Sequence, residues 1–204
     1  MKKILFVFMM TLIFFPTPGF SGENYLQIRY GSEFDLDDYN YYFILENNSL
    51  ENWAVGARII TLNNGFTILN PYFFWKKLNH SQFGIKYSRD SLGSESLGPA
   101  FRFINTMGPI FVFFDSTYYI DFKEGNNKLD TWFHISTSNR NGFYYGAEVW
   151  YYTFKKGNKI LNLRPIKVGY RSKNLPAPFI MLEKKWIDWK KEKSSIYFGL
   201  ELRF

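Results

Sequence analysis

Apolar side chains occupy every second position in segments of about ten residues that follow one another from Glu23 to Phe204, a period typical of β-strands with two different faces. The segment 110–122 shows the pattern over its whole length. One face carries Ile110, Val112, Phe114, Ser116, Tyr118, Ile120 and Phe122, and the other includes Asp115, Thr117, Tyr119 and Asp121.

Clusters of Asn, Gly, Asp, Ser and Lys separate these segments, as expected for turns between antiparallel strands. No segment has a convincing helical period, and no linker divides the chain. We therefore predict a single all-β domain, an antiparallel up-and-down transmembrane β-barrel of twelve strands, with ten as the alternative. The breaks fall at 32–40, 47–52, 62–65, 78–81, 90–98, 105–108, 123–129, 138–142, 155–159, 172–177 and 190–194.

Alternation alone does not say which face is inside, because a soluble barrel packs its apolar face into its own core. Three features favour a polar interior. The polar face carries charged residues in mid-strand together with glycines, Tyr and Trp concentrate near strand ends, and strands of this length cross a membrane when tilted. An aromatic content of 22% at a mean hydropathy of −0.25 is more than a water-soluble core needs.

The N-terminus has the three regions of a secretory signal peptide. Lys2 and Lys3 precede the apolar run 4–15, and a Pro- and Gly-containing break leads to Ser21. As a helix the apolar run would reach only ~18 Å, short of the ~30 Å hydrocarbon core. We predict a signal peptide at 1–21 and the barrel at 22–204.

The last strand carries the most specific pattern. The sequence resembles bacterial outer-membrane β-barrel proteins, whose closing strand ends in Phe, with apolar residues at alternate positions and a Gly five residues before the end. Gly199, Leu202 and Phe204 fit that pattern. The resemblance implies location in the outer membrane and insertion by the assembly machinery that reads this strand. The apolar face of the strand consists of Ile196, Phe198, Leu200, Leu202 and Phe204.

The polar face predicts a lumen with basic residues on strands one, three, five and six facing acidic residues on strands seven and nine. We predict a passive, cofactor-free, porin-like channel for small anionic or polar solutes. The alternative is a closed structural barrel, in which these charges pair with one another and fill the interior. The predicted solute path consists of Arg29, Arg58, Lys86, Arg102, Asp115, Glu148 and Lys167.

An enzymatic alternative rests on His134, Ser136 and Glu148, which lie on the polar face of neighbouring strands and could supply base, nucleophile and orienting carboxylate. The spacing resembles that of outer-membrane lipid A deacylases, which implies a hydrolase of lipid or lipopolysaccharide. The sequence departs from that family, since Thr137 stands where its Asn is expected and Glu148 is not on the final strand.

The remaining expectations concern partners and metals. Lys190, Lys191 and Lys193, predicted in the last outer loop, could meet the phosphates of lipopolysaccharide, with the outer-membrane lipid around the barrel. Nucleic acid is not an expected partner of an exported barrel. The absence of Cys and the presence of only two His leave no basis for predicting a metal site.

Overall fold

The alternating segments form the strands of a continuous sheet, because β-branched and aromatic residues fit a pleated surface and short turns bring sequence neighbours together at little entropic cost. The computed structural model describes residues 25–33, 39–47, 52–62, 65, 67–78, 80–123, 125–137, 141–154, 159–172 and 175–203. Within these ranges the side chains of 25–33, 39–42, 62, 77, 78, 154, 191–193, 202 and 203 are not described. The predicted signal peptide and Phe204 therefore lie outside the described residues.

Twelve strands occur in the described part of the chain, as predicted. They are β1 (Tyr25–Glu33), β2 (Tyr39–Asn47), β3 (Trp53–Leu62), β4 (Thr67–Leu78), β5 (Ser81–Asp90), β6 (Glu95–Met107), β7 (Ile110–Asp121), β8 (Lys128–Thr137), β9 (Gly142–Phe154), β10 (Lys159–Arg171), β11 (Ala177–Ile187) and β12 (Lys190–Arg203).

Each strand pairs antiparallel with its neighbours in sequence, and β1 pairs with β12 to close the barrel. In the closing ladder Tyr25 lies opposite Arg203 and Glu33 opposite Ser195. Closure satisfies the backbone hydrogen bonds that an open edge would leave unpaired. Because the strand number is even, β1 begins and β12 ends at the same end of the barrel, here called the terminal end; the opposite one is the distal end.

The two faces of the strands lie as the alternation predicts. On β12, Phe198 and Leu200 point outward and are about half exposed, whereas Tyr197 and Glu201 are buried inside. Outward aromatic rings occur near both ends of the barrel, among them Trp53 and Trp75 in parallel contact 6.2 Å apart. The exterior is therefore apolar and the interior polar, the inverse of a soluble protein.

Two predicted loops are wrong in extent. The break 90–98 is too long, because β6 begins at Glu95 and the turn is closed by Asp90, whose Oδ1 accepts the backbone N–H groups of Leu92 and Ser94, both at 3.0 Å. The break 190–194 is not a loop, since Asp188 and Trp189 form the turn and Lys190 already belongs to β12. Both turn residues have positive φ, 49° and 67°, as a tight hairpin turn requires. The lysines predicted in a loop thus lie in a strand.

The ladder of β10 contains an irregularity that alternation does not anticipate. Its register shifts between Arg164 and Lys167 relative to β9, and between Leu163 and Ile166 relative to β11. Pro165, which has no N–H to donate, lies inside this bulge. Both Arg164 and Lys167 are consequently buried in the lumen, although they are three positions apart and strict alternation would place them on opposite faces.

Among the described residues, no helix is long and apolar enough to cross a membrane.

Candidate functional site

The lumen is lined by the polar faces of the strands, and six of the seven residues predicted for the solute path have described side chains there. All six are inward, and five are buried outright while Arg58 is slightly exposed. Arg29 lies in the middle of β1, opposite Gly199 of β12 and Tyr42 of β2, and its side chain is not described. The six are Arg58, Lys86, Arg102, Asp115, Glu148 and Lys167.

Arg102 of β6 is the centre of a first ion-pair cluster. Its Nη1 donates to Oε2 of Glu46 at 2.7 Å, and its Nε donates to Oδ2 of Asp115 at 3.0 Å. Lys86 donates to the other oxygen of Asp115. Tyr72 donates its hydroxyl hydrogen to the same Glu46 oxygen at 2.7 Å. The guanidinium also lies over the Phe74 ring, 4.1 Å from its centroid.

This cluster corrects the expectation of a basic wall facing an acidic wall. The positive charges of Lys86 and Arg102 are compensated inside the lumen, because both residues form an ion pair with Asp115. Burial removes charges from water at a cost that only close partners offset, so opposite charges inside a narrow barrel pair with one another. The interior is charge-rich, but most of the charge described is internally compensated.

Glu148 of β9 is the centre of a second cluster. Its Oε2 lies 3.2 Å from Nη1 of Arg164, and its Oε1 lies 3.3 Å from Nζ of Lys167. Lys167 also donates to Glu201 of β12, and Nε of Arg164 donates to Glu183 of β11 at 2.7 Å. Four neighbouring strands are thus joined through alternating charges.

Arg58 connects the two halves of the lumen. It extends from β3, pairs with Asp130 of β8 and lies 5.3 Å from the ring centroid of Trp150 of β9. Asp130 in turn accepts a hydrogen bond from Trp150 Nε1 at 2.5 Å. In the closed ring, β3 and β9 are opposite each other, so these side chains meet across the barrel.

Among the charged lumen residues outside the predicted solute path are Asp130, Glu183 and Arg164, each missed for a different reason. Asp130 lies four positions before His134 on β8, so the alternation already predicts that it faces the lumen. Glu183 stands next to Lys184 and Lys185, where the alternation is obscured, although it is buried and Lys184 is exposed. Arg164 could not be found by parity, because the bulge at Pro165 reverses it.

Glycines on the inward face allow aromatic rings to lie flat against the wall. Gly56 pairs with Tyr72 in the β3–β4 ladder, and Gly169 pairs with Tyr144 in the β9–β10 ladder. A Cβ on Gly169 would approach the Tyr144 ring to 2.4 Å, and one on Gly56 would approach the Tyr72 ring to 2.6 Å. The ring covers the glycine backbone, an arrangement that pins the register of paired strands.

The structure brings together two of the three residues of the enzymatic alternative. His134 lies opposite Glu148 in the β8–β9 ladder, with Nδ1 3.2 Å from Oε1. Ser136 is buried nearby, but within the described part of the chain its Oγ makes no hydrogen bond. A serine nucleophile needs such a bond to its base. Glu148 is also already paired with Arg164 and Lys167, so the geometry lacks an assembled triad.

Lys128 is a lumen cation of a different kind. It opens β8 at the distal end, donates to Ser88 Oγ at 3.3 Å and lies 5.1 Å from the Tyr119 ring centroid and 6.0 Å from that of Tyr152. In the part of the chain that the structure describes, it forms no ion pair within 4.0 Å. Its charge therefore remains available at the distal mouth.

Metal binding finds no support among the described residues, where no group of three or more His, Asp or Glu side chains could hold an ion.

No protein-family model and no curated protein matches the sequence. Solved structures do match. The NanC porin is 11% identical, with a TM-score of 0.66 over 88% of this chain and 100% of that one. The KdgM porin is 12% identical, with a TM-score of 0.61 over 88% and 99%. This chain has the fold of outer-membrane β-barrel porins. The COG4313 outer membrane channel from Pseudomonas putida F1 is similar too, at 8% identity and a TM-score of 0.52 over 90% and 96%.

Proposed function

We propose that this protein is a porin-like channel of the outer membrane that lets small polar solutes pass passively. The observation that carries the proposal is the inversion of the barrel, with apolar side chains exposed outside and charged side chains enclosed inside. Such an exterior is stable in hydrocarbon, and such an interior offers hydrogen-bond partners to a passing solute.

Residence in the outer membrane sets the orientation and the partners. An N-terminal signal at 1–21 would export the chain, and the assembly machinery would read Gly199, Leu202 and Phe204 on the closing strand. The terminal end then faces the periplasm and the distal end faces outward, towards lipopolysaccharide, with outer-membrane lipid around the apolar exterior.

A preference for anions is the finer part of the proposal. Lys128 at the distal mouth supports it, because among the described residues no carboxylate lies within ion-pair distance of its ammonium group. The KdgM porin, similar in fold at 12% identity, has also been solved in complex with disordered oligogalacturonate. An entering anion would meet this cation before it reaches the paired charges of the interior.

Single-channel recordings of the purified full chain in planar bilayers test the proposal. We expect discrete conductance steps and a chloride permeability above that of potassium. Lys128→Glu should lower the chloride-to-potassium permeability ratio about twofold or more, because it reverses an unpaired charge at the mouth. Lys123→Glu is the matched control, since Lys123 lies outside the lumen in the β7–β8 turn and should leave the ratio unchanged.

A closed structural barrel is the second candidate function, and a specific observation favours it. The contact of Arg58 with Asp130 and Trp150 spans the lumen. If the wild-type protein inserts into bilayers but shows no conductance above background, the channel proposal fails and the structural barrel replaces it.

A further inference from the structure

Four side chains form a bar across the lumen, which we call the crossbar: Arg58, Asp130, Trp150 and Arg164. Arg58 and Arg164 both lie over the Trp150 ring, 5.3 Å and 5.8 Å from its centroid. Twelve tilted strands spaced ~4.8 Å apart enclose a circular section of about 24 Å between opposite backbones. An Arg and an Asp side chain together are much shorter than this width, so their direct contact means that the section is flattened and the passage obstructed at this level.

Among the central basic residues with described side chains, Arg58 is the most exposed. Within the described chain, Arg102, Arg164 and Lys167 each pair with two carboxylates, whereas Arg58 and Lys86 each pair with one, Asp130 and Asp115. The side chain of Arg58 is 13% exposed, against 2–3% for Arg102, Arg164 and Lys167. Within the described chain, Asp130 is thus the carboxylate on which the ion pairing of Arg58 depends.

Arg58 and Trp150 together present the groups that bind an acidic ring compound. The guanidinium is a planar donor suited to carboxylate, and an aromatic face beside it accommodates the flat or apolar side of a ring. In the structure the carboxylate position is filled by Asp130, which also accepts from Trp150 Nε1 at 2.5 Å. Asp130 occupies the place that an external carboxylate would take.

We propose that the crossbar is a gate opened by carboxylate exchange: a solute carboxylate displaces Asp130 from Arg58, and the solute ring lies against Trp150 as it passes. Exchange leaves Arg58 paired throughout, and the displaced Asp130 keeps the hydrogen bond from Trp150 Nε1. The exchange therefore costs less than separation of the pair without a replacement, which would leave both charges unpaired. A neutral solute carries no carboxylate to replace Asp130. It can pass only while the ion pair between Arg58 and Asp130 is broken. This inference rests on the proposed channel function and names the residues that select its solutes.

Two variants of the full chain test the exchange in planar bilayers and in liposome-swelling assays with glucuronate and glucose as probes. Asp130→Asn frees Arg58, and we expect conductance and the chloride-to-potassium permeability ratio both to rise about twofold or more. Arg58→Gln removes both the bar and its charge. It should raise conductance, lower the permeability ratio and let glucose enter as fast as glucuronate, whereas the wild type should favour glucuronate.

The control is Glu95→Gln, which breaks the exposed rim pair of Arg89 and Glu95 and should leave conductance and selectivity unchanged. Folding of each variant is checked by the mobility of unboiled samples on gels. If Asp130→Asn does not fold, the conductance and selectivity of Arg58→Gln alone test the gate. Wild-type conductance that neither variant alters overturns the gate and leaves the channel function standing. Absence of conductance from the inserted wild type overturns the two proposals together, whatever the folded variants show.

Discussion

Glu148 has no exposed surface, and three groups from other strands surround its carboxylate. Arg164, Lys167 and His134 approach it to between 3.2 and 3.3 Å. When one member of a buried ion cluster is neutralised, the remaining charges keep their desolvation cost and lose their partner. The stability of the barrel therefore depends on single carboxylates of this kind.

Glu148→Gln keeps the side-chain shape and removes the charge, so we expect it to lower the free energy of unfolding by about 3 kcal/mol or more. Urea titration of the protein folded in lipid vesicles measures this value. Glu95→Gln is the control, because it breaks an exposed pair 3.4 Å long and should cost less than about 1 kcal/mol. Equal losses for the two variants would show that the Glu148 cluster is hydrated and weak.

The pairing of Gly169 with the Tyr144 ring gives a second prediction at the residue scale. Gly169→Ala should destabilise the barrel by about 1–3 kcal/mol, because its Cβ would lie 2.4 Å from a ring carbon. In the background of Tyr144→Ala the same substitution should be almost neutral, since the obstructing ring is gone. The double-mutant cycle, measured by urea titration, fails to support the steric explanation if the two effects simply add.

At the scale of the strand, β10 shows where sequence reasoning succeeds and where it ends. Strict alternation places Lys167 and Arg171 correctly in the interior. The same rule places Arg164 outside, because nothing in period-two alternation counts the extra residue of a bulge. Pro165 in mid-strand is the available signal, since proline inside a paired strand is confined to edges and bulges.

The bulge predicts an asymmetry between two single-residue deletions. Deletion of Pro165 removes the extra residue, so Arg164 and Lys167 become two positions apart and match the spacing of Glu148 and Gly146 on β9. We expect this variant to fold and insert. Deletion of Ser116 from the regular strand β7 should prevent folding, because every side chain on one side of the deletion changes face.

Unboiled gel mobility and outer-membrane fractionation measure both deletions. A Pro165 deletion that does not fold would mean that the bulge of β10 has a role other than keeping Arg164 inside. A folded Ser116 deletion would mean that a regular strand of this barrel tolerates a change of face. The comparison requires no change of charge, because both deleted residues are uncharged.

At the scale of the whole molecule, the sequence predicts the faces of the strands but not the contacts across the lumen. Arg58 and Asp130 are separated by 72 residues, and each is correctly inward by parity. Whether they meet depends on the position of each residue along the barrel axis and on the shape of the barrel's cross-section. Both are determined by the closure of the barrel and the register of its strands, which parity does not give. The expectation of separate basic and acidic walls was wrong for a more local reason, because Arg102 lies directly opposite Asp115 in the β6–β7 ladder. The charged lumen itself was predicted.

The inversion of inside and outside can be tested by placing one charge at two exposed leucines. Leu182 is 37% exposed in the middle of β11, and Leu92 is 84% exposed in the β5–β6 turn. In water both positions tolerate arginine, and Leu92 is the more exposed of the two. In a membrane Leu182→Arg places a cation among acyl chains and should cost about 2–4 kcal/mol, whereas Leu92→Arg should cost less than about 0.5 kcal/mol. Urea titration in lipid vesicles gives both values, and a small, equal cost at the two sites would mean that the outward face of β11 meets water instead of lipid.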